Sequence, residues 1–262
     1  MDLKEFQAGQ KLNINSNHPW EMARETIIRD IVSKFLPKRT ITGIDLGCGD
    51  IFFLSQFSQK IKGIFFAVDI AFTDEIIEKL NLKYNNTNIK LHNSLDSVHI
   101  NHKVDIIFIM DVIEHIDNPV DFIKTIVTLN YIDNNTIFLI TVPAYQCLFS
   151  NHDKWIEHKK RYSPKLLKKE VFQAGLQVID SGSFFSTLIL PRLTIRTFEK
   201  IRKSNFENST GVGGWNYGKV ITNCIRIFLK MDYYFFGKFL KKIGVKLPGL
   251  SLYVVCKLNN KE

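Results

Sequence analysis

The sequence predicts a single doubly wound α/β domain, in which a mostly parallel sheet has helices on both faces. Strand and helix patterns alternate between about residues 20 and 180, as they do where crossover helices join parallel strands. Several strand segments are continuously apolar, which is typical of strands buried on both faces. The 262 residues, 45% of them apolar, can also build one full core.

An N-terminal helical cover, residues 1–38, precedes the alternation. Residues 19–36 place apolar groups at helical spacing. Pro37 ends this helix, because proline lacks the backbone donor and clashes with the preceding turn.

The alternating elements come next. Each strand is predicted from an apolar run and each helix from apolar groups at helical spacing, with Thr73 and Gly175 marking a helix start and a helix end. The predicted strands are 40–47, 63–70, 89–94, 104–111, 136–142 and 176–181. The predicted helices are 51–60, 73–82, 119–130 and 163–174, and a polar loop precedes the last of these.

The alternation stops at a basic, aromatic helical insertion, residues 184–248. It contains a glycine-rich break at Gly211, Gly213 and Gly214 and a long amphipathic helix at about 218–243. The basic side chains of that helix are Arg226, Lys230, Lys238, Lys241 and Lys242, and the apolar ones are Ile221, Ile225, Phe228, Phe235 and Phe239. A strand at 250–258 closes the chain, and we expect it at the sheet as an antiparallel member.

The positive charge of the chain is concentrated at its C-terminal end. Residues 188–262 hold 14 Lys and Arg against 4 Asp and Glu, a net of +10, whereas the whole chain has a net of +9. Such a field attracts an anionic partner, lipid or nucleic acid. Three interpretations stay open: a solvated helical face, an anionic membrane surface, and RNA. Interleaved aromatic residues favour the membrane over nucleic acid, since no RNA-binding module is recognisable.

Composition and the chain start exclude several classes. The four cysteines are far apart and form no Cys-x-x-Cys pair, so we expect neither a zinc cluster nor a disulfide framework. The polar N-terminus lacks the apolar core of a signal peptide, and no segment is predicted to span a membrane. We therefore expect a cytoplasmic protein, peripheral at the inner face of the membrane if the membrane interpretation holds.

A glycine turn after the first strand indicates a nucleotide site. Asp45 is followed by Gly47, Cys48 and Gly49, between a strand and a helix. Glycine lets the backbone turn sharply and approach a ligand closely. Asp69 ends the next strand, 20 residues after Gly49, where a carboxylate can accept both hydroxyls of a ribose.

The residues of this turn distinguish between two classes of nucleotide-binding protein. A dinucleotide site has Gly or Ala where this chain has Phe52, and Asp45 would repel a pyrophosphate but suits an ammonium group. At this point the chain resembles the class I S-adenosylmethionine-dependent methyltransferases, whose motif is Asp/Glu-x-Gly-x-Gly-x-Gly, with Ile51 in place of the third glycine. The resemblance implies a Rossmann-like, seven-stranded sheet. It also implies S-adenosylmethionine as cofactor, held by Asp45, Gly47, Cys48, Gly49, Asp69, Ile70, Asp96 and Asp111.

The segment after the fourth strand extends the resemblance. Residues 110–119, MDVIEHIDNP, look like the motif of methyltransferases with small-molecule substrates. This implies that Asp111 lies at the mouth of the site and His115 near the transferred methyl group. Asp96, with Asn93 and Ser94 as alternatives, would contact adenine.

A second block, residues 143–162, is similar to the SxHD…GHxRRY loop of bacterial methyltransferases associated with envelope glycans and lipid-linked saccharides. Ser150 is kept, and Glu157 and Lys160 replace a glycine and an arginine of that pattern. The resemblance implies that the acceptor is bound by His152, Asp153, Arg161 and Tyr162. His158 is the best candidate for a general base, because imidazole can take a proton near neutral pH.

These features predict methyl transfer to a small or lipid-linked acceptor, with oxygen as the expected atom and His158, His115 and Asp111 as catalytic residues. We expect no metal, because His152, Asp153 and His158 do not specify a further ligand. A catalytically silent methyltransferase fold, an RNA methyltransferase and, remotely, a nicotinamide dehydrogenase remain alternatives.

Overall fold

The computed structural model describes residues 18–85, 87–202, 215 and 217–259. A seven-stranded sheet forms its centre. The strands are β1 Ile41–Leu46, β2 Gly63–Val68, β3 Ile89–His92, β4 Ile106–Met110, β5 Ile137–Pro143, β6 Leu176–Phe184 and β7 Ser251–Leu258. The predicted glycine-rich break at Gly211, Gly213 and Gly214, and the start of the N-terminal cover, lie outside the described residues.

The order of the strands is β3-β2-β1-β4-β5-β7-β6. β1 pairs in parallel with β2 and β4, and β7 is antiparallel to both β5 and β6. The central strands β1, β4 and β5 are buried almost throughout, as strands covered on both faces must be. The predicted fold class, including the antiparallel last strand, is confirmed.

Helices cover both faces of the sheet. They are α1 Pro19–Val32, α2 Phe52–Ser58, α3 Asp74–Tyr84, α4 Pro119–Val127, α5 Asn151–Trp155, α6 Pro164–Gln173, α7 Ile189–Arg202, α8 Lys219–Asp232 and α9 Leu240–Lys242, with a π-helix, Tyr233–Phe239, between the last two. One apolar core joins α1, α2 and α8 to the sheet, and a second joins α4 and α6 to the opposite face. Within the described chain, no helix is both long enough and apolar enough to cross a bilayer.

Two helices lie outside the predicted helix ranges. α5 lies inside the segment predicted as a polar loop, and a capping box holds its N-terminal end. The Ser150 side chain accepts from the backbone N–H of Asp153, and the Asp153 carboxylate accepts from the backbone N–H of Ser150. α7 lies in the insertion, with Arg196 and Glu199 turned toward the loop before α5: Arg196 Nε donates to Phe149 O at 3.2 Å, and Glu199 Oε2 accepts from Asn151 N at 3.1 Å. α7 thereby fastens that loop to the insertion.

The long helix of the insertion is buried along a narrow strip. Its buried strip is formed by Leu229, Asp232 and Tyr233, and Asp232 accepts hydrogen bonds from the backbone N–H groups of Ser186 and Thr187. Most of the predicted apolar side faces outward instead: Ile221, Phe228, Phe235 and Phe239 are all about half exposed. This side stays exposed because α1 and β6 meet the helix along another strip.

Candidate cofactor and acceptor site

The predicted site residues gather at one edge of the sheet. β1, β2, β4 and β5 are parallel, so their carboxyl ends meet there. The strand order turns back between β1 and β4, and ligands of open α/β sheets bind outside such a switch point.

The turn after β1 has the backbone that the glycines predict. Gly47 and Gly49 have φ values of 68° and 56°, a region that favours glycine. A Cβ at Gly47 would lie 2.6 Å from Cγ2 of Val112, so no larger residue fits. Ile51, in place of the third glycine, also has a positive φ, 53°, although it is buried and β-branched. The Ile51 backbone is therefore strained.

Asp69 holds the turn from the neighbouring strand end. Its Oδ2 accepts a hydrogen bond from Gly49 N at 2.9 Å, and its Oδ1 accepts one from Ala71 N at 3.0 Å. The carboxylate is thus fixed beside the turn and keeps further acceptor capacity for hydroxyl groups.

Asp45 is a buried carboxyl group that fits a cationic ligand. It is 1% exposed, and neither of its oxygens has a hydrogen-bond partner among the described residues. Burial raises the pKa of Asp45 to about 8, against the opposing effect of Arg24. An unpartnered buried carboxyl costs free energy, and the ammonium group of S-adenosylmethionine would supply the missing donors.

Asp111 is fixed at the end of β4 by an ion pair. Its Oδ2 lies 2.7 Å from Nη2 of Arg24, and its Oδ1 accepts a hydrogen bond from Oγ1 of Thr141 at 3.0 Å. The same Arg24 nitrogen donates to Thr141 at 3.2 Å. Asp111 has a positive φ of 56°, which this network holds in place. Helix α1 is therefore bound to the strand ends by Arg24.

A second cluster surrounds Asp153, which is fully buried. Its carboxylate accepts from Ser150 N at 2.8 Å, from Arg161 Nε at 2.7 Å and from Arg192 Nη2 at 3.0 Å. Burial alone would raise the pKa of Asp153, but the hydrogen bonds from His158 and Arg161 together hold it well below its usual range. Asp153 is consequently an ionised acceptor.

His158 is oriented by that carboxylate. Its Nδ1 lies 2.9 Å from Oδ1 of Asp153, and since an ionised carboxylate can only accept, Nδ1 carries the proton. Nε2 is left with its lone pair, 3.6 Å from Oε1 of Glu114. The rings of His115 and His158 meet edge to face, with centroids 4.7 Å apart. The structure therefore brings the two predicted histidines together.

Of the other predicted site residues, some lie at the exposed rim of the site and others are buried or partly buried. Ile70 is 93% exposed, Asp96 is exposed in the turn after β3, and Cys48 is buried under the glycine turn. His152 is partly buried, and burial together with Arg192 lowers its pKa to about 4. These positions are compatible with the predicted roles and leave them as predictions.

Two predicted acceptor-binding residues have structural roles in this conformation. Tyr162 is fully buried, and its hydroxyl donates to Ile113 O at 3.3 Å. Arg161 is 6% exposed and bonded to Asp153 and Ala144 O. In this conformation the two side chains fasten the loop that carries His158, and their contact with the acceptor stays a prediction.

Sequence reasoning gave no site role to Arg24, Thr141, Glu114 or Arg192. Glu114 lies inside residues 110–119, whose sequence carries the resemblance, so a signal for it was present. Thr141 and Arg192 act only through distant partners, at separations of 30 and 39 residues in sequence. No local pattern could have identified them.

The fold and this strand-end site define a methyltransferase with S-adenosylmethionine as its cofactor. A family model described as a methyltransferase domain matches residues 20–181, more than half of the chain. The chain belongs to that family. A comparison with curated proteins gave no match.

Solved structures share the fold at low sequence identity. A complex of the Trm112 methyltransferase activator with a methyltransferase from Haloferax volcanii has a TM-score of 0.57 at 15% identity, covering 100% of this chain and 99% of that one. Coclaurine N-methyltransferase bound to N-methylheliamine and SAH has 0.52 at 15%, covering 89% and 70%. Phosphoethanolamine N-methyltransferase 2 from Haemonchus contortus, in complex with S-adenosyl-L-methionine, has 0.51 at 12%, covering 88% and 52%.

Proposed function

We propose that this chain transfers a methyl group to a hydroxyl oxygen of a small or lipid-linked acceptor, such as an envelope saccharide. One observation carries the proposal: His158 is fixed by buried Asp153 at Nδ1, which leaves the Nε2 lone pair as a proton acceptor at the same sheet edge as the glycine turn. An alcohol is a poor nucleophile until its proton is removed, so a positioned base suits oxygen as the methylated atom.

The cofactor residues act by binding and orientation. Asp45 would pair with the ammonium group, Asp69 would accept the ribose hydroxyls, and the turn at Gly47 allows close backbone approach. Ile70 and Asp96 would flank the adenine from the rim. When bound, S-adenosylmethionine supplies a methyl group on a sulfonium, which is electrophilic without further activation.

The chain's own chemistry is alignment and proton transfer. His158 Nε2 would take the acceptor proton, and Asp153 would stabilise the resulting imidazolium. His115 packs against the His158 ring and would shape the acceptor pocket, while Asp111 with Arg24 keeps the strand end rigid. Alignment of an acceptor with the methyl group can lower the barrier by about 7–11 kcal/mol, so most of the acceleration is expected from positioning.

A lipid-linked acceptor is favoured by the surface of the insertion and by the resemblance of 143–162 to the SxHD…GHxRRY subfamily. Exposed apolar side chains cover α7, α8 and the π-helix, among them Phe198, Phe228 and Phe235. Exposed lysines such as Lys238 and Lys242 accompany them, as in helices that lie on anionic lipid. We propose that the protein is cytoplasmic and that this face binds the inner face of the membrane. RNA is the less favoured partner.

A turnover assay with the His158→Ala variant tests the proposal. We expect methyl transfer from S-adenosylmethionine to lipid-linked saccharides, and a loss of about 10²–10⁴-fold in turnover in the variant without a change in cofactor affinity. Replacing the exposed His99 by Ala provides a matched control. Full turnover of His158→Ala would exclude His158 as the base, and cofactor binding without transfer to any hydroxyl acceptor would overturn O-methylation.

A further inference from the structure

We propose that Glu114, His115 and His158 form a binding site for one divalent cation of the Zn²⁺, Co²⁺ or Mn²⁺ type. One ligand atom from each of the three side chains lies within 4.8 Å of the other two. The inference rests on the proposed function only in its last step, where the cation holds the acceptor. The site itself is defined by this chain's own side chains.

Glu114 is the first observation that points to a ligand. The residue is fully buried, and neither carboxylate oxygen has a hydrogen-bond partner in the part of the chain that the structure describes. A buried acceptor without a donor is unfavourable. A cation between Glu114 and the histidines would satisfy these oxygens.

His158 is already oriented as a metal ligand. Histidines that bind metals commonly donate their second ring N–H to a carboxylate, which fixes the tautomer and the direction of the free lone pair. Asp153 does this for His158 at 2.9 Å. Arg161 and Arg192 in turn hold Asp153. The supporting shell of the site is therefore built from buried charges.

The spacing of the three ligand atoms is close to that of a bound site. Ligand atoms about 2.1 Å from a tetrahedral cation are about 3.4 Å apart. Nε2 of His158 and Oε1 of Glu114 are 3.6 Å apart. The remaining separations, up to 4.8 Å, require the side chains to close by about an ångström or a little more.

The donor set selects the type of cation. Two imidazoles and one carboxylate suit borderline transition ions, whereas Mg²⁺ and Ca²⁺ are usually held by oxygen ligands. No metal was expected from the sequence, because no further ligand was specified beside His152, Asp153 and His158. The fold supplies a different set, in which Glu114 and His115 join His158 and Asp153 moves to the supporting shell.

Three protein ligands leave a coordination position for an oxygen of the acceptor. A hydroxyl at that position loses its proton more readily, because the cation stabilises the oxyanion. The Nε2 lone pair of His158 would then belong to the cation, and the hydroxyl proton would pass to water. The cation and the proton thus compete for Nε2 of His158. Methyl transfer can proceed with His158 as the base, or with the cation activating the hydroxyl.

Cation binding by the purified, untagged chain tests the site directly. After chelator treatment, the chain is titrated with Zn²⁺ in a calorimeter and with Co²⁺ while the visible d–d absorption is recorded. We expect one equivalent to bind, and Glu114→Gln and His115→Ala each to lower the affinity at least about tenfold, since even supporting-shell substitutions have effects of that size. His99→Ala, which removes an exposed histidine elsewhere, should leave it unchanged.

The outcomes separate this inference from the proposed function. S-adenosylmethionine affinity serves as the fold control for each variant. Equal Zn²⁺ affinity in wild type and Glu114→Gln, or no stoichiometric binding, overturns the cation site and leaves methyl transfer intact. Absence of S-adenosylmethionine binding overturns the proposed function, whereas the Zn²⁺ and Co²⁺ titrations still decide the site.

Discussion

Binding of S-adenosylmethionine is predicted to release a proton from Asp45. Burial raises the pKa of this carboxyl to about 8, so about nine-tenths of the ligand-free protein carries the proton at pH 7. An ammonium group can pair only with the ionised form. Cofactor binding at pH 7 should therefore release about 0.9 proton from Asp45.

The affinity should follow the ionised fraction of Asp45. With a pKa of about 8, that fraction rises about fiftyfold between pH 6 and pH 8. The ammonium fraction of the cofactor falls about twofold over the same range, so the association constant should rise about 25-fold. In the ligand-free protein the sign is opposite: a raised carboxyl pKa removes folding stability as pH rises from about 4 toward 8, by at most about 6 kcal/mol. Asp45→Asn should abolish that loss.

Calorimetry in buffers of different ionisation enthalpy measures the released proton. The cofactor's amino group titrates near pH 8 as well, and the Asp45→Asn variant retains that contribution. The difference between wild type and variant isolates Asp45. Identical proton release in the two proteins would refute the pairing of Asp45 with the ammonium group.

Three further predictions concern stability and the exposed face. Arg24→Ala should lower the free energy of unfolding by about 1.5–3 kcal/mol, because it removes a charge-assisted bond to the partly exposed Asp111. Lys124→Ala, at the exposed pair with Asp121, should cost under about 1 kcal/mol. Denaturant unfolding measures both losses, and equal losses would contradict the account. The Ile51→Gly variant should be more stable than the Ile51→Ala variant by about 1 kcal/mol, because alanine keeps the strain of the positive φ. The reverse order of unfolding midpoints would show that the backbone at this position is relaxed. Phe228→Ser should lower the affinity for anionic liposomes, measured by co-sedimentation, about tenfold. Leu82→Ser, at an exposed apolar residue on α3, should leave that affinity unchanged. Undiminished binding of the Phe228 variant would count against the membrane face.

Lys241, one of the basic side chains of the insertion, has a structural role. Lys241 donates to Asp180 Oδ1 at 2.6 Å and to Ser181 O at 2.7 Å, so its charge supports the junction with β6. Lys242 is exposed and is the better position for charge reversal. A liposome experiment on Lys242→Glu therefore tests lipid attraction with less risk to the fold.

The sheet was predictable because its signals are local. Continuous apolar runs such as 104–111 and a glycine turn beside Asp45 define a strand and its ligand edge without reference to the rest of the chain. The ends were predicted less well: the strand predicted at 176–181 continues to Phe184, because β7 pairs with it along its length.

The histidine cluster was only partly predictable because its roles depend on distant partners. The motif predicts that Asp153 binds the acceptor. In the fold Asp153 is buried, where it accepts a hydrogen bond from Arg192 on α7 and orients His158. Glu114 becomes notable only when the fold places it beside His158. The exposure of the apolar side of α8 was not predictable for the same reason, since helical spacing identifies an apolar face but not what packs against it.

Calorimetric titration of the wild-type chain with S-adenosylmethionine and, separately, with NAD tests the central claim most directly. Asp45 and the turn at Gly47 suit a nucleoside that carries an ammonium group. Phe52 stands where a dinucleotide site has Gly or Ala, so a pyrophosphate is not expected to bind there. We predict micromolar binding of S-adenosylmethionine and no heat from NAD. Binding of NAD, or no binding of S-adenosylmethionine by folded protein, would contradict the account.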